Sequence, residues 1–354
     1  MLLEVKRLTT LREIARAAGV SVSTVSRVVN GYEHVSDEVR LRVERAIREL
    51  NYQPNQLARA LVSGKNTRQI GLLVYDVANP YFAEIATAVE NVAYQNGYSV
   101  ILCNSSEGRN TAVYLQTLIR HQVDGVAITS GEMDPEGVEC LERLLQRDIP
   151  VVISRERYWA SNAAMDHLNG SIGVMELDYY TGSKIATEYL VSLGHERIAY
   201  LYSLSGSNLE IDPRVLGFKE VLAKNGLQFS EDLVVCNLGF HQSSGARGML
   251  ELLSRTQDFT AVIAYNDLLA ISALAVLREE GIQVPEQVSV MGFDNIAASQ
   301  YTYPPLTTVH VPKSEQGEFM ARYLISQIKE RQPSVQRRLP AELVVRQSTA
   351  VRKA

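Results

Sequence analysis

Apolar positions in residues 10–31 recur at helical spacing in two short runs separated by a glycine. In TLREIARAAGVSVSTVSRVVNG, Thr10 and Glu13 form a capping box, Ile14, Ala15 and Ala18 repeat along one face, and Gly19 is placed to stop the helix. Ser21 is placed to cap the next run, where Val25, Val28 and Val29 make a narrow stripe that must face the first helix. The other face carries Val22, Ser23, Ser26, Arg27 and Asn30, small or hydrogen-bonding groups that suit a DNA major groove. The pattern predicts a helix-turn-helix, against the plainer alternative of a helical hairpin in an ordinary core. A third helix follows, with Ser36 as cap, Asp37 and Glu38 in its first turn, and Val39, Val43, Ala46, Ile47 and Leu50 on its apolar face. Pro54 then opens a shorter pattern with Leu57, Ala58 and Leu61 on one side and Gly64 as its stop. Such a segment is too short to hold alone and needs DNA or a second chain to supply its contacts.

From Ile70 the period changes. Apolar runs IGLLVY, YSVILC, GVAIT and PVVIS alternate with amphipathic helical stretches, which predicts parallel strands covered on both faces. After an irregular stretch around Tyr158 to Ser171, the runs RIAYLY, LVVC, TAVIAY and VSVMGF repeat the pattern, so two similar α/β lobes are expected. Ligands of open parallel sheets sit beyond the carboxyl ends of the strands, here the loops starting near Tyr75, Thr129, Ser154, Ser203, Tyr265 and Phe293. The cleft between the lobes is then the expected binding site.

Charge sharpens the division. Up to Lys65 there are eleven Lys and Arg against seven Asp and Glu; beyond it there are 24 against 33, within a net charge of -5. The only net-cationic region therefore coincides with the helix-turn-helix, as phosphate contact requires. Length and a 46% hydrophobic content suffice for two or three domains with sizeable cores. Cys103, Cys140 and Cys236 are odd in number and widely spaced, without CxxC or zinc spacing, and read as reduced cytosolic thiols; no metal site or cofactor is expected. No apolar run reaches spanning length and no signal-peptide core opens the chain, so a cytoplasmic location is expected and a secreted solute-binding protein disfavoured.

Several segments together resemble the lactose-repressor and galactose-repressor (LacI/GalR) family of bacterial transcription regulators. They are SVSTVSRVVNG and LNYQPN, then IGLLVYDVANPYFAEI and VDGVAITS, then LGHERIAYL, YNDLLAISAL, VSVMGFDN and PPLTTVHVP, in an order that covers the chain from about Thr10 to Arg346. The resemblance implies a DNA-binding headpiece over residues 1–53, a hinge helix and linker over 54–66, and an effector-binding and dimerisation domain over 67–354. That domain is expected to be periplasmic-binding-protein-like, with one lobe at about 67–163 and 312–332 and the other at about 164–296 and 333–350. The chain would cross between lobes near Ala163, Ala297 and Pro312. Val22, Ser23 and Arg27 fall at base-reading positions, Arg27 suiting guanine O6 and N7, while Thr24 and Asn30 fall where phosphates are touched. Leu61 matches a leucine that wedges into the minor groove, with Asn55 and Ala58 beside it.

For the effector the resemblance implies Tyr81 and Phe82, one of which has helix packing as an equal alternative, and Arg214, whose alternative is a surface salt bridge. It also implies Phe240, Asn266 and Asp294, with Asp178 as a weaker match. A sugar or sugar derivative is the expected ligand class, since a carboxylate accepting from two hydroxyls suits sugars. Asp267 reads equally as a helix cap. Arg155 stands where many relatives carry an aspartate. With Arg157 it suits an anionic effector, or else it pairs with Glu156 and Asp178. Partners implied are a pseudo-palindromic operator and a second copy of the chain, and the lack of a trailing leucine heptad predicts a dimer. No catalytic residues are expected. GxSxG, HExxH, GxxxxGK and GxGxxG motifs are missing, and His121, His167, His195, His241 and His310 stand singly, which leaves a sugar-modifying enzyme with a fused DNA domain as the weakest alternative.

Overall fold

Helix signals at the N-terminus are realised as local hydrogen bonds. In the computed structural model Thr10 caps α1 (Leu11–Ala18) through a reciprocal capping box with Glu13, and Gly19 closes it in the left-handed region at φ 67°. Ser21 Oγ accepts from Thr24 N at 3.1 Å to start α2 (Val22–Val29). Ser36 occupies the cap position of α3 (Asp37–Glu49), but its side chain makes no capping bond. Ile14, Ala15, Ala18, Val25, Val28, Val43 and Ala46 are buried together as the core of this small unit, while Leu50 stays 38% exposed instead of joining it. The structure describes residues 9–29, 32, 34–52, 67–105, 110–129, 133–156, 167–168, 170–204, 209–236 and 238–352. The chain divides into two compact units, one up to Thr67 and one from Arg68.

The second unit contains two six-stranded sheets. The first contains β1 (Gln69–Val74), β2 (Ser99–Asn104), β3 (Gly125–Ile128), β4 (Val151–Glu156), β5 (Gly173–Leu177) and, much later in the chain, β11 (Gln336–Leu339), in the order β11-β5-β4-β3-β1-β2. The second contains β6 (Ile198–Leu201), β7 (Val234–Val235), β8 (Ala261–Ala264), β9 (Ser289–Asp294), β10 (Thr307–His310) and β12 (Glu342–Val344), in the order β12-β10-β9-β8-β6-β7. All pairings are parallel except β10 with β12. The connections are helical, as parallel strands require: α4 (Pro80–Gln95), α5 (Thr111–Arg120) and α6 (Pro135–Gln146) in the first lobe. In the second they are α7 (Tyr179–Ser192), α8 (Pro213–Lys224), α9 (Gln242–Arg255) and α10 (Asp267–Glu279).

The crossings between lobes differ from expectation. Gly173–Leu177, not read as a strand in the sequence, pairs with β4, so the chain stays in the first sheet until Leu177; Ala163 itself lies outside the described residues. No crossing occurs at Ala297, because the turn Ala297–Gln300 leads into β10, which pairs with β9 in the second sheet. The crossing near Pro312 is present: α11 (Lys313–Lys329) leaves β10 and packs on α4, β3 and β4. A third crossing lies between β11 and β12, so residues 336–339 belong to the first lobe and 307–310 to the second. Two glycines permit the close helix pairs. A Cβ at Gly217 would stand 2.5 Å from Tyr180 O, and one at Gly317 would stand 2.5 Å from Ile85 O, so α8 sits directly on α7 and α11 on α4.

Candidate functional site

In the small unit the side of α2 turned away from α1 is exposed at Val22, Ser23 and Arg27, and Thr24 is half-buried. Ser21 Oγ lies 2.7 Å from Ser23 Oγ and 2.8 Å from Thr24 Oγ1, gathering three hydroxyls at the positive end of the helix. Arg27 stands in the last turn of α2 and is exposed. Asn30, Asn55, Ala58 and Leu61 lie outside the described residues.

In the second unit most of the expected effector residues converge between the lobes. Arg214 is the centre. Pro213 opens α8, and Asp212 caps it by accepting from Arg214 N at 2.7 Å and from the Tyr202 hydroxyl at 3.1 Å. The Arg214 side chain is 4% exposed, and its guanidinium carbon lies 3.6 Å from the Tyr179 ring centre and 4.0 Å from that of Tyr265, with Nη1 donating to Tyr265 Oη at 2.7 Å. Two aromatic faces replace part of the water that a cation loses on burial. Phe293 is 5.7 Å away, and the carboxyl of Asp294 next to it is pushed up to about 6 by burial, against the pull of Arg214 and Lys313. Burial also raises the Asp212 carboxyl, again opposed by Arg214. Arg214 is thus a buried cation between carboxylates, not a surface salt bridge.

Around this centre runs a set of aromatic contacts that joins the lobes. Phe82 lies 6.1 Å from Tyr75, Tyr75 lies 5.2 Å edge-on from Phe240, and Phe240 lies 5.7 Å from Tyr265. Tyr75 follows β1 and Phe240 precedes α9, so the two lobes touch here. Beside them His241 Nδ1 lies 3.4 Å from Asp76 Oδ2. Asn266 caps α10 by accepting from Leu269 N at 2.9 Å and donates from Nδ2 to Phe240 O at 3.2 Å, holding the aromatic loop.

Three expected residues take other roles. Tyr81 is buried by helix packing: its hydroxyl lies 3.1 Å from that of Tyr179 and donates to Gln316 Oε1 at 3.2 Å, and burial pushes the phenol well up. Asp178 caps α7, accepting from Thr181 N at 3.1 Å. Arg155 reaches Glu176 at 3.5 Å, a neighbour in register on β5 and a partner other than the Glu156 and Asp178 weighed from sequence. Glu176 is itself buried and also faces Arg338 at 3.7 Å. Asp267 is neither cap nor cleft group; its carboxylate is sealed in by Ile296 N at 2.8 Å and Thr308 Oγ1 at 2.5 Å, and burial raises it strongly. Sequence reasoning missed Asp76, Tyr179, Tyr202, Asp212, His241 and Lys313. Tyr75, Ser203 and Tyr265 were marked only as loop starts. Of the missed set, Tyr179 directly follows Asp178, itself named as a weaker match, and Asp212 had the cap-before-proline signal DPR.

Residues 10–55 match the bacterial regulatory proteins of the lacI family, and residues 187–349 match the periplasmic binding protein-like domain. The ribose operon repressor of Halalkalibacterium halodurans is 35% identical over 344 residues, covering 97% of this chain and 97% of that protein. The chain belongs to the lacI family. Family membership makes it a DNA-binding transcriptional regulator with an effector-binding body, and the solved structures agree. The transcriptional regulator CelR in its cellobiose complex is 32% identical, with a TM-score of 0.69 over 96% of this chain and 99% of that one. The lac repressor dimer bound to operator and the anti-inducer ONPF is 26% identical, with a TM-score of 0.82 over 97% of this chain and 100% of that one. Like those lacI-family proteins, this one joins a helix-turn-helix to paired parallel sheets. Among its described residues no helix is long and apolar enough to cross a membrane, and no three His, Cys, Asp or Glu side chains gather as a metal would require.

Proposed function

We propose that this lacI-family chain is a cytoplasmic repressor that grips a pseudo-palindromic operator as a homodimer and senses a neutral, hydroxyl-rich carbohydrate in the cleft beside Arg214. The observation that carries the ligand class is the pairing of aromatic faces with buried acceptors. Tyr75, Phe82, Phe240 and Tyr265 offer apolar ring surface. Asp294 and Asp76 are buried carboxylates; Asp76 Oδ2, which faces His241 Nδ1 at 3.4 Å, and the buried Ser203 Oγ make no hydrogen bond among the described residues. Sugar hydroxyls donate to such acceptors while C–H faces pack on the rings. An anionic ligand has less support, because Arg155 is engaged with Glu176 and the positive charge of Arg214 is already opposed by Asp294 and Asp212. The cellobiose bound by the CelR relative fits the same class.

Support for the DNA role is the exposed face of Val22, Ser23 and Arg27 in the net-cationic segment; Arg27 reads a guanine, Thr24 positions on phosphate, and Val22 meets a thymine methyl. A second copy is supported by exposed apolar side chains on the first lobe and beyond β9. Leu102 on the edge strand β2 is 46% exposed, and Tyr301 and Tyr303 are 81% and 87% exposed, large surfaces for a soluble monomer to leave in water. A ligand at about 100 times its Kd adds about 2.7 kcal/mol to folding, a clear melting shift. A thermal-shift panel of neutral pentoses, hexoses and disaccharides, sugar acids, sugar phosphates and purines therefore tests the reading. A neutral sugar is expected to raise the melting temperature and to change operator affinity in the same preparation. Stabilisation by anions or purines alone, or by a sugar with no effect on operator binding, would refute it.

A further inference from the structure

We propose that Lys313 is a positioning residue of the cleft, a buried ammonium that holds the Asp294–Asn295 turn in place and ties it to the first lobe at the point where the chain crosses over. Lys313 opens α11 directly after the Val311–Pro312 crossing, and its side chain is 1% exposed. Nζ donates to Asp294 O at 2.5 Å, to Asn295 O at 3.2 Å and to Val311 O at 3.3 Å, which uses all three of its protons. Glu84 of α4, in the opposite lobe, places Oε2 3.6 Å from the same nitrogen. Ser314 Oγ donates to Glu84 Oε1 at 3.0 Å, which fixes that carboxylate.

The turn needs holding. Asp294 and Asn295 have φ of 99° and 52°, a region that side-chain-bearing residues occupy at a cost and keep only when their surroundings over-determine it. Hydrogen bonds from one ammonium to both carbonyls do that, and Arg346 Nη2 secures the second residue by donating to Asn295 Oδ1 at 2.6 Å. Lys313 thereby sets both where the Asp294 carboxylate stands and which charge it faces. The other groups facing Asp294 are Arg214 of α8, Asp267 of α10 and Tyr81 of α4, while Lys313 also faces His310 of β10. The importance of this for sensing rests on the reading of Asp294 as an effector contact. Movement of one lobe against the other then acts on that contact through a side chain anchored at the crossover.

A merely structural lysine and a lysine that tunes Asp294 are separated by the pH profile of a thermodynamic cycle without ligand. Melting temperatures are measured from pH 5 to 8 for the wild type, D294N, K313M and K313M/D294N, with K313R as the conservative variant. In the wild type, the Asp294 contribution is a loss of stability as pH rises through about 6, and D294N lacks it. Removing the ammonium is expected to move that loss upward by about one pH unit in K313M, K313R to keep the wild-type profile, and the displacement to vanish in K313M/D294N. If K313M is too unstable to melt, K313Q, which keeps a donor and removes the charge, gives the same reading. A K313M or K313Q profile parallel to the wild type, or a displacement that persists in the D294N background, overturns the proposal. Because no ligand enters the cycle, its failure leaves the effector assignment untouched. Conversely, a sugar that binds D294N as tightly as wild type sinks that assignment alone.

Discussion

The two lobes share a strand order and differ in chemistry. Both sheets run 5-4-3-1-2 by their own strands, with a sixth strand from the end of the chain on the edge, parallel in the first lobe and antiparallel in the second. Yet the buried charges around the cleft are unequal. Asp212, Arg214 and Asp294 come from the second lobe, whereas the first contributes Asp76 and the aromatic rings of Tyr75 and Phe82. One framework thus serves as a reader and the other as a cover. Charges of opposite sign need fixed distances to offset their loss of water, so they are best placed on one rigid body, while ring contacts tolerate the sliding that closure imposes.

The sharpest way to break this asymmetry is Arg214→Ala. It leaves Asp212 and Asp294 buried without their shared cation, and removing one partner of a buried charge cluster costs about 3–5 kcal/mol. A large drop in melting temperature at pH 7.5 and loss of any sugar-induced shift are expected, with the drop smaller at pH 5, where Asp294 takes a proton. A variant that melts like the wild type and still responds to sugar would mean the second lobe is not the reader.

Asp294→Asn comes next and has the opposite sign on stability. Burial raises this carboxyl from 3.8 to about 6, so its favourable contribution is complete below about pH 4 and is lost as pH rises through 6. Replacing it with a neutral amide is expected to stabilise the ligand-free protein at pH 7.5 by roughly 2–3 kcal/mol, with the gain shrinking toward pH 5. Effector affinity falls at the same time, since the amide offers one acceptor where the carboxylate offered two. Denaturant melts at both pH values, with calorimetry of the sugar found by the screen, give both numbers.

How far the sequence reaches differs between the lobes in the same way. Helices and the strands β1–β4 and β6–β9 are legible because their apolar periods and caps are local, and Thr10 and Gly19 behave as their positions suggest, whereas the cap of α10 is Asn266 and not the Asp267 read for it. β5, β10, β11 and β12 are not: GVMEL is a short run after an irregular stretch, TTVH and ELV are only four and three residues long, and QRRL is an exposed edge strand with no apolar face. The misplaced crossings follow from these strands: β5 moves the first one past Leu177, β10 removes the one at Ala297, and β11 adds one before β12. In the cleft, Arg214, Phe240 and Asp294 are brought together as the resemblance implied. Partnerships that set their charge come from residues far apart in the chain: Tyr179 with Arg214, Lys313 with the Asp294 turn, Glu176 with Arg155. No local pattern encodes them.

The contact of the covering lobe with the reading lobe is probed by Tyr75→Ala and Phe240→Ala, one from each side, which remove an edge-on pair across the cleft. An aromatic pair contributes about 0.5–1.5 kcal/mol beyond its buried area. Each variant is therefore expected to weaken sugar binding some three- to tenfold and to leave operator affinity in the absence of sugar unchanged, as read by calorimetry and gel shift. Equal and non-additive losses in the two single variants and the double would tie the effect to their mutual contact.

The smallest effect is expected at Arg155, and it tests the comparison from the other side. If the first lobe only covers, removing the Arg155 cation at the end of β4 should not matter to the ligand. Arg155 is 22% exposed and 3.5 Å from Glu176, a long contact, and Glu176 retains Arg338 at 3.7 Å when Arg155 is gone. Arg155→Ala is expected to cost at most about 1 kcal/mol of stability, since the carboxylate keeps a partner, and to change sugar affinity less than twofold. Sugar acids should bind no better to the wild type than to this variant. A tenfold or greater loss of affinity would make Arg155 a ligand contact, give the first lobe a reading role of its own, and favour an anionic effector over a neutral one.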